Sequence, residues 1–504
     1  MLALLGIVCR LGSSGSRPGG RSCSCGREGS AHMRSAILLI LLLALGLAML
    51  ASSFMLGAPT DPPPAGPNVV LIVVDTLRAD RILAERNGVP VMPNLAEFAK
   101  KGRLYINAVS AASWTRPAVT SLITGQYMGT HGVVYGVSED ADGKVFADNI
   151  NPRWPVLAET LAAAGYQTGA VTTNGHLQPN TSFDQGYEPA RYLYEEDAPA
   201  DRVGVHAQQL LRSARAPFFH YLHYMDPHAP YRAPKEYSEL FGPEPTISDS
   251  DREVLDPENH IRYISDQSLI RLGRRRESIF QPLSEAGREV LRQRYDAECR
   301  FADEHIAATI ANIRKFYPKT LFIITADHGE EFWEHGGTGH GLTLFQEQIH
   351  VPLIIVGPRV LPRMVTTVVE SVGIYKTLLA YLGLNEPLPL QGSDLLAEAP
   401  GNGAAYSMTR GPSLDYPVDL DAALEASGKA IRDNGRGITE IYNLETDPAE
   451  QHPLAEDPAR WNQVLDAHAA ESERIRPPRI QPIQKAVDAK FVEQMRKLGY
   501  KKEE

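Results

Sequence analysis

The chain has 504 residues, 43% hydrophobic and 22% charged, with 41 Gly and 37 Pro. That ordinary composition excludes a mainly disordered or collagen-like polypeptide and leaves ample material for a buried core. The formal net charge of -11 is unevenly spread: residues 1–34 hold five Arg and one Glu, a surplus of +4, which leaves -15 on the remainder. A body that acidic argues against nucleic acid or an anionic membrane as the main partner. Of the four Cys, Cys9, Cys23 and Cys25 sit in the leader and Cys299 is alone in the body, which excludes a disulfide framework or a CxxC metal site there.

Residues 35–60 carry no charge, and their centre, AILLILLLALGLAMLASSFML, is almost wholly apolar. At about 1.5 Å of rise per residue it can cross a hydrocarbon core of about 30 Å. Arg residues precede it and Asp61 follows, so a transmembrane anchor over 35–57 would place the body outside the cytoplasm. Ala51-Ser52-Ser53 equally suits signal-peptide cleavage. Either way the body is expected to be exported, anchored or secreted, to the periplasm or the cell exterior. Met33 is an alternative start, which would leave the basic leader (1–34) untranslated up to that Met, and a Pro-rich linker fills 58–66.

Next comes Asn68-Val-Val-Leu-Ile-Val-Val74, a β-branched run ending in Asp75, as expected of a buried parallel strand. A second such run, 320–325, leads into Asp327-His328, and a third, 351–356, into Gly357-Pro358. Helical patterns lie between them at 94–101, 154–164 and 289–314. Alternation of strands and helices predicts an α/β layered fold, whose ligands collect beyond the carboxyl ends of the strands. Both acidic clusters fall there. The polar stretch 238–286, with Arg274-Arg275-Arg276, reads as an insertion over the sheet edge, its Arg triplet a solvated face. After about residue 400 short strand-like pieces (428–432, 438–444) and a last helix (487–498) indicate a smaller subdomain over 401–504, following a main domain over 67–400.

Asp75, Asp327 and His328 offer carboxylate and imidazole ligands for a divalent cation on rigid strand ends. Singly, an Asp there is a helix cap; two acidic strand ends, one continuing as His-Gly-Glu-Glu, favour a site. In Ser113-Trp-Thr-Arg-Pro-Ala-Val-Thr-Ser-Leu-Ile-Thr-Gly125, Thr115 suits a helix cap or a nucleophile whose alkoxide the helix dipole favours. Spacing alone leaves both readings open.

The pieces PNVVLIVVDTLRAD, SWTRPAVTSLITGQYMGTHGV, HYMDPHAPY, TADHGEEFWEHGGTGHG, EQIHVPLIIVGP and IYNLETDPAEQHPLA, with LGY near the end, resemble in content and order the sulfatase family of the alkaline phosphatase superfamily, from Pro67 to about Tyr500. The resemblance implies an alkaline-phosphatase-like large mixed sheet flanked by helices, a smaller C-terminal sheet subdomain, and a divalent metal (Mn, Zn, Ca or Mg), one ion with room for a second. In that family a Cys or Ser followed by x-Pro-x-Arg is oxidised to formylglycine. Here Thr115 stands ten residues before Gly125, Pro117 keeps the motif and Val119 replaces the Arg. Thr cannot become formylglycine. It matches instead the superfamily relatives that cleave or transfer phosphate esters, which would make Thr115 both nucleophile and metal ligand beside Asp75, Asp327 and His328. Thr76 replaces the second Asp of many sulfatases, which weighs against calcium.

By the same resemblance His228 matches a substrate-contacting His, and His340 falls at a substrate-binding Lys, where as His it could ligate a second metal. Asn174 and His176 lie near the family's Lys-x-His element. His223 and Asp226 are assigned to packing, His335 and Glu330 to a loop, and Ser113 lies two residues out of register for a nucleophile. The leading expectation is an exported, metal-dependent hydrolase of phosphate, phosphonate or sulfate esters, phosphorus favoured by Thr115. A membrane-anchored transferase of phospho-groups to envelope lipid or polymer is the variant. The opposing reading, a silent binding protein, draws on the missing Cys, Arg and Lys residues and on Gly373, where relatives often carry Asp.

Overall fold

The structure is a computed structural model that describes residues 66–498 apart from 140–143, 402, 413–415, 427, 457 and 476–479. The expected leader and anchor, and all but the last residue of the linker, lie outside the described residues. No helix among the described residues is long and apolar enough to cross a membrane.

Strand β1 (Asn68–Val74) is buried at every position and lies inside a nine-stranded mixed sheet. Its unbroken apolar run has no polar face to offer water, so a central place covered on both faces is the stable one. The other strands are β2 (Arg103–Val109), β3 (Gln167–Thr172), β4 (Tyr192–Tyr194), β5 (Phe218–Tyr224), β6 (Thr320–Ala326), β7 (His350–Val356), β8 (Arg363–Val365) and β9 (Val369–Glu370). Their order is β8-β2-β7-β6-β1-β5-β3-β4, with β9 also on β2. β1 runs parallel to β6 (Asn68↔Thr320) and β5 (Val69↔Phe219). β7, expected to be a further parallel strand, is antiparallel to β6 (Phe322↔Val356) and to β2. An apolar run reports burial, not direction. The β6–β7 connection holds no crossover helix long enough to return the chain to the other end of the sheet, so β7 starts where β6 stops.

The expected helices appear as Pro93–Ala99, Leu157–Ala163 and a 32-residue helix, Glu285–Phe316. The last begins earlier than its apolar pattern because Ser284 caps it, Oγ accepting from Gly287 N at 3.1 Å. The insertion, expected over the sheet edge, packs its second helix on Gly339, next to His340. Its helices Asp249–Leu255 and Pro257–Arg271 follow the site end of the molecule: a Cβ at Gly339 would come within 2.6 Å of Ile264 Cγ2. Arg275 pairs with Asp266, and Arg274 and Arg276 are exposed, the solvated face expected.

Beyond the main sheet, Ala405–Thr409, Leu420–Leu424, Gly428–Asp433 and Ile438–Asn443 form a four-stranded antiparallel sheet backed by helix Ala459–Ile475 through Trp461 and Leu465. The final helix, Ala489–Lys497, does more than close this part. Its Phe491 and Met495 cluster with Trp114, Val137 and Ala147 of the main domain, beside Thr115.

Candidate active site

Parallel β1 and β6 end together, so the residues that follow, Asp75 and Asp327, meet although 252 positions separate them in sequence. His328 stands between them: Nε2 lies 3.5 Å from Asp75 Oδ1 and 3.5 Å from Asp327 Oδ2. Its Nδ1 faces Gly329 O at 3.0 Å, a bond that places the proton on Nδ1 and leaves the Nε2 lone pair toward the two carboxylates. Asp327 Oδ1 accepts from the amides of His328 (2.9 Å) and Thr76 (3.3 Å), and Ser110 Oγ donates to its carbonyl oxygen. Thr76 reaches its amide into place with φ +56°. All three side chains of the cluster are buried.

Helix Thr115–Thr124 points its N-terminus at this cluster. Thr115, its first residue, puts Oγ1 3.3 Å from His328 Nε2. From the end of β3, Asn174 donates Nδ2 to Asp75 Oδ2 at 2.7 Å and reaches Thr115 Oγ1 at 3.4 Å, while its Oδ1 accepts from His176 N at 2.8 Å. Arg116, next to the nucleophile candidate, turns away into the core, bonded to Asp148 O and His176 O. The His340 ring lies tilted at 4.3 Å, centroid to centroid, from His328 and edge-on at 5.2 Å from His228. The structure therefore brings Asp75, Thr115, Asn174, Asp327, His328, His228 and His340 together. Ser113 is buried and its hydroxyl makes no hydrogen bond to the described residues.

Two assignments change, those of Glu330 and His223, while Asp226 and His335 stay outside the site. Glu330, expected to be a loop residue, is buried and its Oε1 lies 3.0 Å from His340 Nδ1. Its closeness in sequence to Asp327-His328 was the one signal available, and it is a weak one, since the adjacent Glu331 turns away to Arg271. His223, assigned to packing, lies 3.8 Å from Asp75 Oδ2. Asp226 turns away, Oδ2 accepting from Ala200 N at 2.6 Å. His335 bonds Glu347 Oε1 and Glu450 O, outside the site.

Burial, followed by the Asp327 charge, holds the Asp75 carboxyl well above the usual range, and burial raises Asp327 as well. Burial pushes His328 well down, and takes His223 and His228 to about 3, so these imidazoles are neutral. Two buried carboxylates with no Lys or Arg ion pair among the described residues are an unstable arrangement by themselves. Asp75 Oδ1 and Asp327 Oδ2 have no hydrogen-bond partner among the described residues, and Asp75, Asp327 and His328 each offer a ligand atom within 4.8 Å of the others. Two carboxylate oxygens, one imidazole nitrogen and an adjacent hydroxyl fit a divalent cation.

The mouth above His228 and His340 is walled by Ile261 and Ile264 of the insertion, Pro412, Tyr416 and Leu498 after the final helix. Apart from the two His and Ser268, this wall is mostly apolar.

The sequence model of the Sulfatase family matches residues 67–384. Arylsulfatase K of Xenopus laevis is 23% identical over 368 residues, a match covering 65% of this chain and 65% of that relative. The Escherichia coli (strain K12) protein described as uncharacterized sulfatase YidJ is 23% identical over 448 residues, 78% of this chain and 83% of that one. Among solved structures, the phosphonate monoester hydrolase of Silicibacter pomeroyi superposes with a TM-score of 0.60 at 19% identity, over 82% of this chain and 96% of that chain.

Proposed function

The chain belongs to the sulfatase family, and on that premise we propose that it is an exported, metal-dependent hydrolase of phosphorus esters in which Thr115 replaces formylglycine as the nucleophile. One observation carries the reading: Thr115 Oγ1 sits at a helix N-terminus, 3.3 Å from His328 Nε2 and 3.4 Å from Asn174 Nδ2, against the carboxylate pair.

A divalent cation held by Asp75, Asp327 and His328 would act as a Lewis acid toward the ester oxygens and favour the ionised hydroxyl. Two carboxylates and one imidazole favour a borderline ion, Mn or Zn, over calcium. The N-terminal amides of helix Thr115–Thr124 and the Asn174 amide stabilise negative charge at Oγ1. The Thr115 oxygen bonds to phosphorus as the bond to the leaving alcohol oxygen breaks. His340, oriented through Nδ1 by Glu330, is placed to give that oxygen a proton. Thr115 gives up its own proton to solvent as it ionises. The same imidazole, neutral after the first step, takes a proton from water, whose oxygen bonds to phosphorus as the bond from phosphorus to Thr115 breaks, releasing the phosphate product and the ionised Thr115 oxygen.

The choice of phosphorus over sulfur follows from the side chain. A formylglycine hydrate can expel its ester through its second hydroxyl, breaking a carbon–oxygen bond. Thr115 has no second hydroxyl, so its ester must be opened by a second in-line attack at the central atom, which phosphorus accepts readily. The apolar mouth suits an ester whose alcohol is compact and apolar. Export and anchoring draw on the uncharged stretch at 35–60.

The test offers the purified chain, with Mn or Zn, bis(p-nitrophenyl) phosphate, a p-nitrophenyl phosphonate monoester and p-nitrophenyl sulfate. Turnover of a phosphorus ester that disappears in Thr115→Ala is expected. Sulfate turnover that survives Thr115→Ala would sink the reading.

A further inference from the structure

The net charge of -15 over residues 35–504 hides a segregation. The catalytic residues follow the carboxyl ends of β1 and β6; at the opposite end of the sheet β2, β5, β6 and β8 begin and β7 ends. Four segments feed these strands there: 100–103, 212–217, 314–320 and 357–363. None contains an Asp or Glu. They expose Lys101, Arg215, Lys315, Lys319, Arg359 and Arg363. Of the carboxylates nearby, Glu97 pairs with Lys100 and Glu386 with Lys376, and the exposed Glu398 lies beside Arg363, whose Nη1 donates to its carbonyl oxygen. Among these cations stand the two most exposed large apolar side chains of the described residues, Leu361 at 75% and Phe316 at 62%, with Met364 at 58% beside them. Lys319 and Arg359 also line a groove of about 550 Å³ with Tyr381 and with Gly66 and Pro67, where the described chain enters.

We infer that this face docks on the surface of an anionic lipid bilayer, with Phe316, Leu361 and Met364 entering the headgroup layer and the surrounding Lys and Arg meeting lipid phosphates. The charge complementarity is specific to this face, because the rest of the body is strongly acidic and is repelled by the same surface. Solvated apolar side chains ringed by cations gain on entering an interface and lose nothing polar. In sequence, Gly66 and Pro67, which line this groove, follow closely on the uncharged stretch at 35–60. The inference rests on the anchored reading above and deepens it. A seven-residue strand is about 23 Å long, so the docked body holds Asp75 and Asp327 roughly that far above the headgroups, mouth toward water. The ester then arrives from the aqueous side, which disfavours a transferase acting on lipid within the same membrane.

Full-length chain is placed in nanodiscs of phosphatidylcholine alone or of phosphatidylcholine with phosphatidylglycerol, and backbone hydrogen exchange is followed at 314–319 and 357–363. Slower exchange on the anionic discs, reversed by high salt and by Lys315→Glu/Lys319→Glu/Arg359→Glu with soluble-ester turnover unchanged, is expected. Equal exchange on both discs, or protection that persists in the charge-reversed variant, overturns the inference. If the chain does not insert, the anchored reading fails, and flotation with phosphatidylglycerol vesicles decides separately: salt-sensitive binding lost in the variant upholds the face, and no binding overturns it.

Discussion

Asn174 donates to Asp75 Oδ2 at 2.7 Å, from the end of β3 to the end of β1. That bond fixes the carboxylate so that its other oxygen, Oδ1, faces His328 Nε2. Groups that orient ligands from behind tune affinity nearly as strongly as the ligands themselves. Asn174→Ala is therefore expected to weaken Mn or Zn binding by about 10- to 100-fold, measured by titration calorimetry, with the fold retained by circular dichroism. Unchanged affinity would show that Asp75 is held by other contacts.

The metal cluster was legible because strand-end carboxylates need no tertiary knowledge once two parallel strands are seen. The apolar runs that become β1 and β6 predict that their ends coincide, and they do, residue for residue from Asn68↔Thr320 to Val74↔Ala326. Direction was not legible for β7, since burial on both faces is compatible with either sense. Glu330 was lost for a related reason: a carboxylate in a polar loop looks solvated until His340, ten residues on, folds back over it. The lining of the mouth comes from five distant stretches and has no local signature. Gly373, counted toward a silent protein, has a packing cause: a Cβ there would come within 2.4 Å of Ser393 O. The carboxylate of relatives cannot fit at that position, and its absence says nothing about catalysis.

Thr115 separates the chemical readings. Thr115→Ala is expected to lower kcat on phosphorus esters by roughly four orders of magnitude or more, leaving KM nearly unchanged because the other binding groups remain. Thr115→Ser keeps an oxygen at the helix N-terminus and should keep turnover. Incubating the active chain with substrate and quenching in acid should trap a phosphate on the peptide containing Thr115, detected by mass spectrometry. A fully active Thr115→Ala would show that another group attacks.

Ile264 of the insertion and Leu498, just after the final described helix, both line the mouth. Burying one such side chain is worth about 1.5–3 kcal/mol, so part of that reaches a ligand that covers it. Ile264→Ser and Leu498→Ser are each expected to raise KM about ten-fold for esters of apolar alcohols. Esters of glycerol or a sugar should be little affected, and kcat should stay level. An equal loss for all alcohols would mean that the wall supports the fold and does not select substrate.

Glu370 makes no contact with the cluster's side chains; it sits on β9 opposite Val109 and is 1% exposed. Burial lifts its carboxyl to about 7 against an ordinary 4.5, with Tyr127 pulling the other way. The native state thus holds this proton over a range where the unfolded chain has released it. Stability from the neutral carboxyl is fully present below about pH 4.5 and is lost as pH rises through about 7. Glu370→Gln keeps the shape and removes the titration. The variant's advantage over the parent in urea unfolding should therefore grow by about 2 kcal/mol between roughly pH 5 and pH 8. A constant difference across that range would place the titrating carboxyl elsewhere.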